Sequence, residues 1–297
     1  MRILVTGATG FIGRRLVERL TQAGHAVVAV VRPSSTALPS SAASLTTVRA
    51  ELSDAPALRK ACDGCDAVVH LAAATGIADP DVAFAVNVKG TRTLLEASRD
   101  ARAGRFIFIS TISALREKMG PYGRTKQQAE AEVRASGVPF VVLRPSLVYG
   151  DGSVGLFANL ARSMRSLPVV PVIGNGAIEL DPIHVDDVCA IIEQCATRDD
   201  VLGKSYDLLG PDRVTFNEFL KLLAREIKVQ KPFVHVPAWF ALLAARALGA
   251  ISKRPPLSVD NVLGLTSPAR VDRTAAKRDF PMQWTPLSAG LKAVAQA

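Results

Sequence analysis

Two groups of residues in this chain have types and spacings that can do chemistry. In Tyr122-Gly-Arg-Thr-Lys126 a phenol and an ammonium stand four positions apart, which places them on one face of a helix. An ammonium over a phenol favours its ionised form, and a tyrosine poised this way exchanges a proton with a carbonyl or hydroxyl oxygen near neutral pH. The second group is Gly7, Gly10 and Gly13, interleaved with Thr9, Phe11 and Ile12. Glycines at this spacing let the backbone turn tightly and approach phosphates closely. A helix opening near Phe11 then aims unpaired N–H groups and its positive dipole end at the anion. The pyrophosphate of a dinucleotide suits such a turn. Neither pattern is specific alone, since YxxxK also occurs on solvated helix faces and a glycine run is often only a turn.

The surrounding elements supply the context. An apolar strand, residues 3–5, precedes the glycines; Ile12, Leu16, Val17 and Leu20 mark a helix after them; Gly24 stops it, and residues 26–31 form a second strand. Strand-like runs follow at 45–48, 67–71, 106–110 and 138–143, alternating with helical patterns at 54–62, 82–99 and 126–136. Such alternation predicts an α/β fold, a Rossmann doubly wound parallel sheet with helices on both faces. Tyr122 then follows the fifth strand, at the carboxyl ends where ligands sit in such sheets. Residues 1–150 are expected to form the NAD(P)-binding domain. Residues 151–297, opening with Pro168, Pro171, Gly174 and Gly176, are expected to form a smaller substrate-side region, with 177–205 returning to the Rossmann core. The stretch 33–44, rich in Ser, Ala and Pro, reads as a mobile loop.

With 297 residues, 48% of them hydrophobic and 21% charged, the chain can bury a substantial core. No apolar run approaches the roughly 20 residues that span a bilayer, and a cytoplasmic location is the default expectation. Four cysteines, Cys62, Cys65, Cys189 and Cys195, fit a reducing compartment. The CxxC at Cys62 and Cys65 has no second pair and reads as two buried thiols flanking a turn at Asp63 and Gly64. Lys and Arg outnumber Asp and Glu by 36 to 27, a net charge of +9. That excess suits a phosphorylated cofactor, an acidic substrate or a lipid surface. Dispersed basic residues and 5% aromatics argue against nucleic acid. His184, Asp186 and Asp187 read as a helix cap with first-turn carboxylates, so no metal is implied, and Asn87 reads as a brace for a strand end.

With these motifs in order, the chain resembles the short-chain dehydrogenase/reductase superfamily, in its extended or atypical epimerase/dehydratase-like branch. The motifs are TGATGFIG at 6–13, VVHLAAAT at 68–75, NVKGT at 87–91, FIFIST at 106–111, YGRTK at 122–126, RPSLVYG at 144–150 and DPIHVDDV at 181–188. The resemblance implies that Thr111 hydrogen-bonds the reacting oxygen, with Ser110 as the alternative, that Tyr122 is the acid/base, and that Lys126 holds the nicotinamide ribose. It further implies that Leu71, Ala72, Ala73 and Ala74 pass along the cofactor, that Glu51 and Leu52 lie near adenine, and that Pro145 contacts the nicotinamide. Glu51 replaces the family's usual Asp.

An acidic residue at the end of the second strand would bind the ribose 2′-OH of NAD. Here Arg32 follows Val31, and a guanidinium suits a 2′-phosphate, so NADP is the expected cofactor, with NAD less favoured. Leu180 fills the place where sugar-nucleotide epimerases of the branch usually carry an arginine for the substrate diphosphate; Arg162, Arg165 and Arg270 are the candidate substitutes. Stretches 167–176, 206–223 and 256–265 resemble atypical members related to the NADPH-binding 39 kDa subunit of respiratory complex I. The apolar segment 237–250, followed by Lys253 and Arg254, reads as a core or lid helix, with a peripheral membrane or complex contact through 237–254 as the alternative. The expected function is hydride transfer between nicotinamide and a hydroxyl or carbonyl carbon of a small molecule, anionic or lipophilic. The alternatives are a nucleotide-sugar epimerase/dehydratase recycling its own NAD(P), or a redox-silent NADPH-binding subunit. Oligomeric state is open, with a homodimer among the options.

Overall fold

Ile3, Leu4 and Val5 are all fully buried, as expected of a central parallel strand covered by helices on both faces. They belong to β1 (Arg2–Thr6) in a computed structural model that describes residues 1–35, 42–77, 79–152, 156–253 and 255–296. β2 (Ala26–Val31), β3 (Leu45–Arg49), β4 (Ala67–His70), β5 (Arg105–Ile109), β6 (Phe140–Pro145) and β7 (Ser205–Leu208) complete a seven-stranded sheet. Every pairing is parallel, in the order β7-β6-β5-β4-β1-β2-β3. The chain therefore winds one way from β1 to β3 and the other way from β4 onward. The crevice beyond the carboxyl ends of β1 and β4 is the topological switch point where such sheets bind ligands.

The helices are α1 (Phe11–Gln22), α2 (Ala55–Cys62), α3 (Pro80–Phe84), α4 (Gly90–Asp100), α5 (Pro121–Ala135), α6 (Leu156–Ser166), α7 (Val185–Thr197), α8 (Phe216–Glu226), α9 (Ala238–Ile251), α10 (Val259–Gly264), α11 (Ala275–Asp279) and α12 (Leu287–Gln296). Side chains alternate along each strand. Ile3, Val5 and Ile107 thus meet Leu16 and Val17 of α1 and Val188 and Ile192 of α7, while Leu4, Val68 and Phe106 meet Leu58 of α2, Leu94 of α4 and Val133 of α5. Ion pairs from Arg15 to Asp186 at 2.5 Å and from Arg19 to Glu193 at 2.6 Å bind α1 to α7. A separate core gathers Met164 of α6, Phe216 and Phe219 of α8, and Leu287 and Leu291 of α12 around Tyr149. The chain after residue 150 thus divides its elements, with α7, β7 and α11 packing on the sheet.

The helix expected over 82–99 is instead α3, a π turn (Ala85–Lys89) and α4; Asn87 lies in that turn and is buried. The helix expected from 126 opens earlier, at Pro121, a residue pre-set for a first helical position. The sixth strand begins at Phe140 because Gly137 (φ +73°) turns the chain just before it. Of the loop expected at 33–44, residues 36–41 lie outside the described residues; Arg49 Nη1 donates to the Pro33 and Ser35 carbonyls at 3.0 and 3.1 Å. Cys62 and Cys65 are free, buried thiols, and burial beside Cys65 pushes Cys62 up to about 12. Among the described residues no helix is long and apolar enough to cross a membrane.

Candidate active site

The glycine turn closes against the end of β4. Gly7 has φ +68°, and a Cβ there would stand 2.7 Å from the Ala72 nitrogen and 2.8 Å from the Leu71 carbonyl carbon. A Cβ at Gly13 would overlap the Gly7 carbonyl. Gly10 caps α1 without a side-chain hydrogen bond, so the first N–H groups of the helix remain for a ligand. Gly7, Gly10, Phe11, Ile12 and Gly13 line a cleft of about 600 Å³, and Leu71 and Ala73 continue its wall. The adjoining backbone is pinned by Asn87, whose carboxamide accepts from Ala74 N at 2.7 Å, donates to Ala74 O at 3.2 Å and donates to Thr125 Oγ1 at 2.9 Å. One side chain thereby ties the 71–75 segment to α5.

β5 delivers Ser110 and Thr111 to the same cleft. Thr111 caps a 3-10 turn (Ile112–Leu115), its hydroxyl accepting from Ser113 N at 3.2 Å. With one lone pair so engaged, its O–H proton stays available to a ligand oxygen. Ser110 is buried and sits against the Glu130 carboxylate. Tyr122, in the first turn of α5, lines the same cleft.

Four residues on, Lys126 is buried, with Nζ 3.9 Å above the Phe108 ring. Burial draws its ammonium down to about 7, with Glu130 opposing. A cation over an aromatic face keeps its donors unspent, and among the described residues nothing accepts a hydrogen bond from it.

The electrostatics of Tyr122 differ from the expectation of an ionised phenol. Burial, and after it the Asp260 carboxylate, holds Tyr122 above its ordinary value. The reason is tertiary. Gly120 caps α5 without a side chain, and Asp260 of α10 supplies the missing acceptor, taking Tyr122 N at 3.2 Å and Gly123 N at 3.4 Å. The charge that acts on the phenol is thus negative, and with burial it keeps the phenol proton-bearing at neutral pH.

The remaining expected residues fall at different distances from the cleft. Pro145, at the end of β6, lines it. Arg32 is exposed just past β2, Glu51 is exposed beyond β3, and Leu52 packs beneath Gly90. Thr9 offers its carbonyl to Arg14 Nε at 3.0 Å. Arg162 and Arg165 are exposed on α6, and Arg270 is exposed 3.8 Å from Glu117. The arginines that do line the cleft are Arg116, Arg213 and Arg273, none of which the sequence singled out. Arg213 is paired with Glu179 and Arg273 with Asp181. His184 caps α7 by accepting from Asp186 N at 3.3 Å, as its position implied.

The glycine turn and the uncapped N-terminus of α1 suit the phosphates of a nicotinamide dinucleotide, and Lys126, buried below the cleft and not among the residues that line it, is the nearest expected residue with donors to spare. Residues 3–208 match the NAD dependent epimerase/dehydratase family. The chain belongs to that family. It is a nicotinamide-dependent oxidoreductase of the epimerase/dehydratase type. Ceramide reductase of Caulobacter vibrioides is 29% identical over 292 residues, covering 97% of this chain and 86% of the relative. The 2-alkyl-3-oxoalkanoate reductase of Stenotrophomonas maltophilia is 28% identical over 316 residues and 94% of each chain. Among solved structures, MoeE5 in complex with UDP-glucuronic acid and NAD has a TM-score of 0.78 at 25% identity, over 100% of this chain and 98% of that one.

Proposed function

We propose that the protein reduces the ketone of an apolar small molecule with NADPH, using Tyr122 as the proton donor. The observation that supports this reading is that Tyr122, held protonated by burial and Asp260, lines the same cleft as Thr111, whose hydroxyl has accepted from Ser113 N. Bound NADPH supplies hydride to the carbonyl carbon, and the chain's own residues position the ketone and complete the proton transfer. Thr111 donates a hydrogen bond to the carbonyl oxygen and fixes its position. Tyr122 transfers its proton to that oxygen as negative charge develops there, so that C=O becomes CH–OH. Lys126, whose ammonium titrates near neutrality, holds the ribose hydroxyls and stands four residues from the phenol it replenishes. The exposed guanidinium of Arg32 at the end of β2 takes the 2′-phosphate. A nucleotide-sugar substrate is less favoured, because Arg213 and Arg273 are already neutralised by Glu179 and Asp181. Two relatives that match most of the chain are named as reductases of a ceramide and of a 3-oxoalkanoate.

The test is NADPH consumption at 340 nm with a medium-chain ketone, offered both as 3-oxodecanoate and as its ethyl ester, in wild type and in Tyr122→Phe. Turnover by wild type and a loss of about 10²- to 10⁴-fold in kcat for the variant, with NADPH still bound by fluorescence, is the expected result. Undiminished turnover in Tyr122→Phe, or no consumption by wild type, overturns the reading.

A further inference from the structure

Arg116 closes the 3-10 turn that Thr111 opens, and it lines the same cleft. It is one of the most buried charged residues of the chain, 9% exposed, and its Nε has no hydrogen-bond partner. Its guanidinium makes one bond, from Nη1 to the Ser267 carbonyl, across an antiparallel bridge between Arg116 and Ala269. The bridge is reinforced by Lys118 N donating to Ser267 Oγ at 3.0 Å. Among the described residues no carboxylate pairs with Arg116. The other two arginines of the cleft each have their own acid, and the one remaining carboxylate, Asp260, is committed to the N-terminus of α5. Burying a guanidinium without a counter-charge is costly; burial alone draws Arg116 down to about 10. A site that retains such a group at its wall offers one positive charge and a forked donor, the match for a single carboxylate.

We infer that Arg116 is the anchor for a carboxylate on the substrate, so that the preferred ligand is a monocarboxylate with an apolar body. Ile112, Leu147, Val148, Ile178 and Leu265 supply apolar walls beside it. A 3-10 turn rises about 2.0 Å per residue. The backbone of Arg116 therefore stands on the order of 10 Å from that of Thr111, which sets the carboxylate apart from the reacting oxygen. A phosphate or diphosphate would bring two or more charges against one guanidinium.

This inference rests on the reductase reading only for where the ketone lies, and binding separates the two. The probes are decanoate and decanol, titrated calorimetrically into NADPH-saturated wild type, Arg116→Gln and Arg116→Lys, with NADPH affinity and melting temperature as controls of folding. Wild type is expected to bind decanoate at least about 10-fold more tightly than decanol, the worth of a charge-assisted hydrogen bond. Arg116→Gln is expected to abolish that preference and Arg116→Lys to restore part of it. The inference is overturned if decanoate binds no better than decanol, or if the preference survives in a folded Arg116→Gln. A decanoate preference that depends on Arg116 in a protein that reduces no ketone would sustain the anchor and sink the reductase reading. If Arg116→Gln fails to fold, loss of the preference in Arg116→Met, which keeps the apolar stem and leaves the Ser267 side chain on Lys118 N, or its persistence there, decides in the same two directions.

Discussion

Replacing Arg144 by Met tests whether the charged cluster beneath α5 holds the helix that carries Tyr122 in place. Arg144 lies on β6, and its Nε and Nη2 donate to Glu130 at 2.8 and 2.7 Å, while Nη1 reaches Asp207 of β7 at 3.2 Å. Both carboxylates are only 5% exposed. Methionine keeps the length and apolar stem of the arginine but removes the shared counter-charge of two buried carboxylates, leaving Glu130 with Arg134 at 3.0 Å and Asp207 with Asp272 N at 2.8 Å. Removing one partner of a buried ion pair costs about 3–5 kcal/mol. The expected loss at pH 7 is in that range, read from the urea midpoint at unchanged m.

The pH dependence follows from the sign. Burial by itself raises the Glu130 carboxyl, but the Arg144 bond, with Ser110 and Arg134, outweighs burial and holds it below its ordinary value. A lowered carboxylate contributes stability that is full above its unfolded value of about 4.3 and is lost as pH falls through the folded one. In Arg144→Met, burial prevails and Glu130 takes a proton earlier, so the deficit relative to wild type is largest near neutrality and shrinks toward pH 4. Adding Glu130→Gln should recover at least about 1 kcal/mol of it, as coupled partners do. A deficit below about 1 kcal/mol, or one that is flat from pH 7 to pH 4, is incompatible with this account of the cluster.

Arg32→Ala should weaken NADPH by about 10-fold or more while NADH changes little, as measured by fluorescence titration; equal losses would mean that Arg32 does not meet a 2′-phosphate. Asp260→Ala removes the acceptor for Tyr122 N and Gly123 N and should cost about 1 kcal/mol in thermal or urea unfolding. Because that carboxylate helps hold Tyr122 above its ordinary value, its loss should also move the alkaline limb of the reduction rate to lower pH. A limb that stays put or moves up would show that Asp260 does not act on the phenol.

The nucleotide half was legible because its signals are local. Glycines of the β1–α1 turn, the buried runs of the sheet and the Tyr122–Lys126 register each depend on residues within a turn or two of one another. What escaped depends on contacts far along the chain. Asp260 reaches Tyr122 across 138 positions and Ser267 meets Arg116 across 151. The acidity of the phenol and the unpaired guanidinium therefore had no trace in spacing. The arginines at 162, 165 and 270 carried the right charge on exposed surfaces, whereas Arg213 and Arg273 entered the cleft with their own acids beside them. Trp239, Phe240 and Leu243 of α9 are exposed, which a segment with Arg246 as its one charge could not reveal, since no continuous polar stripe marks its outer face.

β7 enters the sheet from residues 205–208, pairing with Val142, Leu143, Arg144 and Pro145 of β6. During synthesis, β6 emerges some sixty residues before its neighbour, and for that interval its outer edge presents unpaired backbone groups to the cell. A nascent chain stalled near residue 150 would hold all the glycines and the YxxxK pair yet lack the strand that seals the sheet. The cut that looks natural on paper is thus a poor place to divide the molecule. Gene fusions or chimaeras that exchange everything after residue 150 would replace part of the nucleotide fold along with the substrate pocket, and grafts that keep 183–208 and 275–280 with the first half are the ones that should fold.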